Sequence, residues 1–228
     1  GHTTALAWKT LTKVNSFTFK PGDQVLFQCG STFYGTLTVK NSGTAGSPIV
    51  YGAYGTGANP VITGFTTVTG WTNEGGGIYS KVITSESQTN MVTIDGVQYG
   101  MGRYPNSDFL TYESALTNVS ITDNQLTGSP NWTGAEAVIK KIGHVIDRCL
   151  VTNHSANILT YTSLRGIGKN ANSTGSYFIQ NDLKTLDSFG EWYHDYSGTG
   201  KFYMYFGAIN PTTKTIEVTT KNNEIGRA

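Results

Sequence analysis

The sequence has few charges, few cysteines and no long apolar run, and each shortage removes a class of function. Only 14% of its residues are charged, and Lys plus Arg number 16 against 15 acids, for a net charge of +1. No basic field is available to neutralise a phosphate backbone or to hold an anionic bilayer surface, so neither nucleic acid nor membrane is an expected partner. No segment approaches the run of about 20 apolar residues that a membrane-spanning helix needs. The two cysteines, Cys29 and Cys149, stand far apart and match neither a CxxC pair nor a zinc spacing. Two buried free thiols are the expectation, with one long-range disulfide as the alternative. His2, His144, His154 and His194 form no HxH or HExxH pattern, and no P-loop or Rossmann fingerprint precedes a helical stretch. No metal or other cofactor is therefore expected, with calcium left open but without a motif to support it. No leader-like stretch opens the chain, and Gly1-His2 reads as a tag remnant.

What the chain does have is a mixture of turn formers and strand formers: 28 Gly and 13 Tyr, with much Thr, Ser and Asn, in 228 residues. That length holds one large β domain or two small ones without disulfide or metal staples. Residues 5–14 read as a short capping segment ahead of the Pro21-Gly22 turn. Residues 16–82 are short strands broken by Gly and Asn turns, with strand text recurring about every two dozen residues. The recurrence is seen at Val25-Leu26-Phe27, Ile49-Val50-Tyr51 and Ile78-Tyr79. Units of this size bury little alone and must stack on neighbours, which favours a solenoid, with a β-sandwich as the alternative. After Lys81 the segments lengthen and alternate, as in AEAVIKKIGHVIDRCLVT, which implies sheets with one wet face. Asp95-Gly96 between two apolar runs predicts a type I′ hairpin. Thr215 to Val218 starts a new strand, followed by a polar turn at Asn222-Asn223.

The stretches FKPGDQVLFQCGSTFYGTL, DGVQYGMGRYPN, NWTGAEAVI, GSYFIQNDLKTLDSFGEWYHD and GKFYMYF, with PGD, RYPN and LDSFGEW in that order, carry a resemblance. They look like the N-terminal part of pectate-lyase-like right-handed β-helix proteins of polysaccharide-degrading bacteria, of the kind with a β-sandwich-like insertion. The resemblance covers nearly all of the chain and implies an all-β protein in which the first coils of a right-handed parallel β-helix carry an inserted antiparallel, sandwich-like subdomain. The implied division is a cap and first coils over 1–82, an insertion over 83–214 and a return to the β-helix over 215–228. In enzymes of this type the helix continues beyond the insertion and the groove carboxylates sit on those later coils, which this chain does not contain. The resemblance also implies a secreted, extracellular or cell-surface protein with a polysaccharide partner and an appended catalytic domain.

For glycoside chemistry two carboxyl groups must flank one bond, about 5–9.5 Å apart. The densest cluster is Asp187, Glu191 and Asp195 beside His194, which makes Asp187 and Glu191 the catalytic candidates; the alternative is a turn that Asp187 caps, with Glu191 accepting backbone contacts. Sugar binding needs only flat aromatic faces and a few polar groups. Trp71, Trp132, Trp192, Tyr193 and Tyr104 are the candidates, Trp71 and Trp132 foremost because polar or Gly-rich loop text surrounds them. Asn118, Asn131, Asn153 and Asn172 match the glycosylation pattern, as chance allows in a chain rich in Asn and Thr.

Three readings follow. The first is a carbohydrate-binding module for plant cell-wall polysaccharide such as xylan. The second is a fragment of a glycoside hydrolase or polysaccharide lyase. The third is a structural or adhesive surface module, which expects Trp71, Trp132 and Trp192 all to be buried and is opposed by an exposed pair of coplanar rings.

Overall fold

The computed structural model describes residues 3–116, 118–222 and 225–227; His2 and Asn223 lie outside them. Within these residues the protein is all-β: the sole α-helix is Leu11–Asn15, and the remaining helical turns are three short 3-10 segments. No helix among them is long and apolar enough to cross a membrane. Most pairing is antiparallel; the parallel pairing described comprises three two-stranded ladders and an isolated bridge between Met101 and Trp192. Contacts divide the chain into two compact units, one of Gly1–Val68, Thr84–Met91 and Glu217–Ala228, the other of Thr69–Ile83 and Val92–Ile216.

In the first unit, Gln24–Gln28 alternates so that Val25 and Phe27 point inward and Gln24, Leu26 and Gln28 outward. It pairs in parallel with Val50–Tyr54, Thr32–Tyr34 pairs in parallel with Val61–Thr63, and Leu37–Val39 does so with Ile225–Arg227. The short helix is started by the Thr10 hydroxyl, which accepts from Lys13 N at 3.3 Å. It buries Leu11 and Val14 with Val25, Phe27 and Leu37. Asn15 then extends the hydrogen bonding of the neighbouring strand, donating to Thr36 O at 2.8 Å and accepting from Thr38 N at 2.9 Å.

The recurrence read at Ile78-Tyr79 does not continue the parallel pattern. Ile78–Val82 pairs antiparallel with Thr72–Gly75 and with Lys201–Tyr205. The cause is local: Gly75, Gly76 and Gly77 all adopt positive φ (90, 60 and 85°), which folds the chain straight back on itself. Trp192–His194 completes this four-stranded sheet of the second unit. A larger antiparallel sheet in the same unit is centred on Glu136–Ile142, Val145–Ser155 and Gly175–Gln180. Its core includes Tyr112, Ile139, Val151, Leu159, Tyr177 and Ile179, none more than 1% exposed. The expected hairpin is present, with Val92–Ile94 paired to Val97–Tyr99 across Asp95 and Gly96, both at positive φ. Both cysteines are free thiols; Cys149 is buried, but Cys29, at the turn that ends its strand, is only half-buried.

Candidate functional site

The tryptophans do not occupy the surface that their neighbours in sequence suggested. Trp132 is 1% exposed and Trp192 3%. The polar residues around Trp132 satisfy backbone while the ring turns inward. Asn131 donates to His154 O at 3.0 Å and accepts from Thr133 N at 2.9 Å, and Trp132 N donates to His154 Nδ1 at 3.1 Å. Tyr104, itself exposed, stacks on Trp132 with ring centroids 5.3 Å apart. Trp192 donates from Nε1 to Tyr99 O at 3.0 Å and stacks on Phe202 at 5.9 Å. Trp71 is half-buried and packs edge-on against Phe206 at 5.4 Å. The expectation of an open ring is corrected at Trp132, which is buried under Tyr104, whereas Trp71 is half-buried against Phe206.

The carboxylate candidates are brought together, but inside a turn. Glu191 Oε2 accepts from Asp187 N at 2.9 Å and Ser188 N at 2.8 Å, closing the Leu186–Gly190 bend. Asp187 Oδ1 accepts from Asn106 Nδ2 at 2.7 Å and from Ser188 Oγ at 3.1 Å. Burial pushes the Glu191 carboxyl above the usual range, against the pull of those two N–H donors, and the Asp187 charge adds to the rise. Gly190 completes the bend at φ +88°, where any side chain would collide with the Tyr99 ring. Glu191 thus closes the bend through two backbone N–H groups, and Asp187 ties it to Asn106. Among the described residues no group of three His, Cys, Asp or Glu side chains is placed to hold a metal ion.

A near-parallel ring pair joins the predicted Tyr193 to Tyr203 on the adjacent strand. In Lys201–Tyr205, Phe202 and Met204 are buried, which sends Lys201, Tyr203 and Tyr205 to the other face. Tyr193 sits directly opposite Tyr203 across the ladder. Facing cross-strand side chains lie close enough for rings to align, and these two do: their centroids are 5.8 Å apart and their planes differ by 15°. Both residues are half-buried, and the two rings stack on one another.

Polar groups border this platform. Lys201 Nζ lies 5.7 Å from the Tyr203 ring centroid and pairs with Glu74 at 2.9 Å, and Glu74 also accepts from Ser80 Oγ at 2.6 Å. Asp195 accepts from Thr199 N and Oγ1, both at 2.8 Å. The backbone donors, Thr199 N foremost, hold its carboxyl below the usual range, with the Tyr193 hydroxyl contributing. Burial, with Asp195 and Asp182 nearby, pushes the Tyr193 hydroxyl up to about 12, so at neutral pH it is an un-ionised donor. The platform therefore offers a π face for the C–H side of a sugar ring, edged by donors and acceptors for its hydroxyls. Of its members, the sequence analysis named Tyr193 and missed Tyr203, Lys201 and Glu74. Alternation in KFYMY places Tyr203 on one face with Lys201, but nothing in a single sequence says which strand lies alongside.

The first unit has its own aromatic group, lining a cavity of about 940 Å³ with Trp8, Phe17 and Phe19. Those rings meet at 49–56°, as packed edges rather than a plane.

No family model and no curated protein matches the sequence. A solved structure named "Glycoside hydrolase" is similar in fold, with a TM-score of 0.65 at 15% identity over 91% of this chain. The chain thus shares the fold of part of a protein named as a glycoside hydrolase, and spans 41% of that protein's length.

Proposed function

We propose that this chain is the carbohydrate-binding part of an extracellular polysaccharide-degrading protein, and that it holds plant cell-wall polysaccharide such as xylan on the Tyr193–Tyr203 platform. The observation that carries this reading is the near-parallel pair of tyrosine rings, half-buried and bordered by Asp195 and the Lys201–Glu74 pair. Low net charge fits a neutral ligand recognised by stacking and hydroxyl contacts. The burial of Trp132 and Trp192 favours a purely structural module, and the near-parallel, half-buried Tyr193–Tyr203 pair is what supports a binding role against it.

The architecture we propose with it is the start of a right-handed parallel β-helix carrying an antiparallel insertion. Its support is the order of the three parallel ladders: Gln24–Gln28, Thr32–Tyr34 and Leu37–Val39 each lie beside a later strand, in the same sequence order. Right-handed crossovers are the rule for parallel connections. A second reading, part of a glycoside hydrolase whose catalytic groups lie elsewhere, is favoured by the 41% share of the similar structure that this chain spans.

Calorimetric titration with xylan, mixed-linkage glucan and pectin fragments, with product release followed in parallel, separates these readings. Saturable heat without product supports the binding reading. Release of new reducing ends or unsaturated products supports the enzyme, with Asp187→Asn and Glu191→Gln as the first variants. Silence in both assays supports the structural reading.

A further inference from the structure

The larger sheet of the second unit encloses a lysine and an aspartate with no solvent exposure at all. Lys141 Nζ lies 2.6 Å from Asp147 Oδ2, and both side chains are 0% exposed. Both residues occupy core-facing positions of their strands, Lys141 in phase with Ala137 and Ile139, Asp147 in phase with Cys149 and Val151. A buried ion pair is weak support for stability, because desolvating two charges offsets most of their attraction. This pair is not alone, however. Lys141 Nζ also contacts the carboxamide oxygen of Asn118, a residue distant in the sheet order, and the Tyr161 ring lies 5.4 Å from the same nitrogen. Asn118 Nδ2 donates to Ile167 O at 3.1 Å, and Lys141 Nζ lies 3.4 Å from that carbonyl. Asp147 Oδ1 accepts from Ser163 Oγ at 3.0 Å, which fixes the carboxylate.

We propose that Lys141 and Asn118 join in an intramolecular isopeptide bond, with Asp147 as the proton-transfer group. The nucleophile, the electrophile and the acid–base group converge on one nitrogen. The electrophilic Cγ is a single carbonyl bond, about 1.2 Å, from the oxygen that Lys141 already touches. The Lys141 ammonium passes a proton to Asp147, and the freed Nζ lone pair attacks Asn118 Cγ. The C=O electron pair moves to Oδ1 and returns as the Cγ–Nδ2 bond breaks. Nζ loses a second proton by way of Asp147 to Nδ2, so nitrogen leaves as ammonia, which carries off the first proton as ammonium. Asp147 ends as a carboxylate, and no oxidant or cofactor is consumed. A neutral amide then stands where a buried cation stood. Cys149 Sγ, 3.3 Å from Asp147 Oδ2, is not a competing nucleophile, since burial pushes its thiol up to about 12. The Asn118-Val119-Ser120 pattern is accounted for as well, because the Asn118 carboxamide faces Lys141 and Ile167.

Intact-mass spectrometry of the folded protein tests the bond. The expected mass is lower than that of the sequence by one ammonia, about 17 Da. Tryptic mapping should give a cross-linked species that carries both Asn118 and Lys141. Lys141→Arg, Asn118→Ala and Asp147→Asn should each restore the full sequence mass. A wild-type protein at its full sequence mass overturns the proposal. So does a loss of ammonia that persists in Lys141→Arg, which would place it in cyclisation of an asparagine. Should the variants fail to fold, the wild-type mass and cross-linked species decide by themselves.

Discussion

The two units close their cores in different ways. In the second, strands of up to eleven residues run antiparallel beside their neighbours, and twelve core residues are exposed by 3% or less. In the first, strands of three to five residues form two-stranded parallel ladders beside an antiparallel pairing of Phe65–Thr67 with Glu217–Thr219, and the five core residues are 2–7% exposed. Both units also leave apolar side chains in the open, as at Tyr34 (59%) in the first and Ile146 (66%) in the second. Antiparallel hairpins bury a face against strands that are near in sequence, whereas a solenoid turn buries its face mainly by stacking on the next one. The contrast explains why the flat ring pair is in the second unit. A sheet whose inner face is already filled by Phe202, Met204 and Trp192 holds its outer rings at fixed positions.

The largest break in this comparison should come from the closed core. Trp132→Ala should lower the unfolding free energy of the second unit by about 3–5 kcal/mol, as for other fully buried aromatics. Denaturant unfolding followed by hydrogen exchange of Glu136–Ile142 reads this effect. Val25→Ala in the first unit should lose less, about 2 kcal/mol, since a smaller side chain leaves a less enclosed site; equal losses would erase the distinction between the units.

Acid should act on the second unit through His154. Burial holds this imidazole below its ordinary pKa, and its Nδ1 accepts from Trp132 N while Nε2 donates to Ala156 O at 3.1 Å. A depressed histidine pKa means that the unfolded chain binds the proton first. Stability from this group is therefore complete above about pH 6.5 and falls as the pH drops through that value towards the folded pKa. His194, also depressed by burial, acts in the same direction. The denaturation midpoint should be lower at about pH 5 than at about pH 7.5, and His154→Gln should flatten the difference. The smallest effect on stability belongs to the platform: Tyr193→Ala and Tyr203→Ala should each cost about 1–2 kcal/mol, since only part of each ring leaves water and one ring pair is lost.

How much of this was legible depends on whether the signal is local. Asp95-Gly96 fixes its hairpin through its own backbone preference, and Val25 and Phe27 reveal their face by alternation. Trp132 misleads because polar neighbours mark where backbone donors need partners, and those neighbours are compatible with a ring turned inward. Ile78-Tyr79 looks like another repeat until the three glycines before it reverse the chain. Lys141 and Asp147 did leave a trace, as charges in the apolar phase of an alternating segment, but Asn118 is joined to them only by the fold. The Tyr193–Tyr203 pair is invisible for the same reason, because a cross-strand neighbour is a property of strand order.

The central claim is that the Tyr193–Tyr203 platform binds polysaccharide, and calorimetric titration of the wild-type chain and of Tyr203→Ala with xylan fragments tests it most directly. The account predicts saturable binding by the wild type and affinity weaker by about tenfold, some 1.4 kcal/mol, in the variant, with folding retained. Equal binding by both proteins, or no heat with any glycan for a folded wild type, would contradict it.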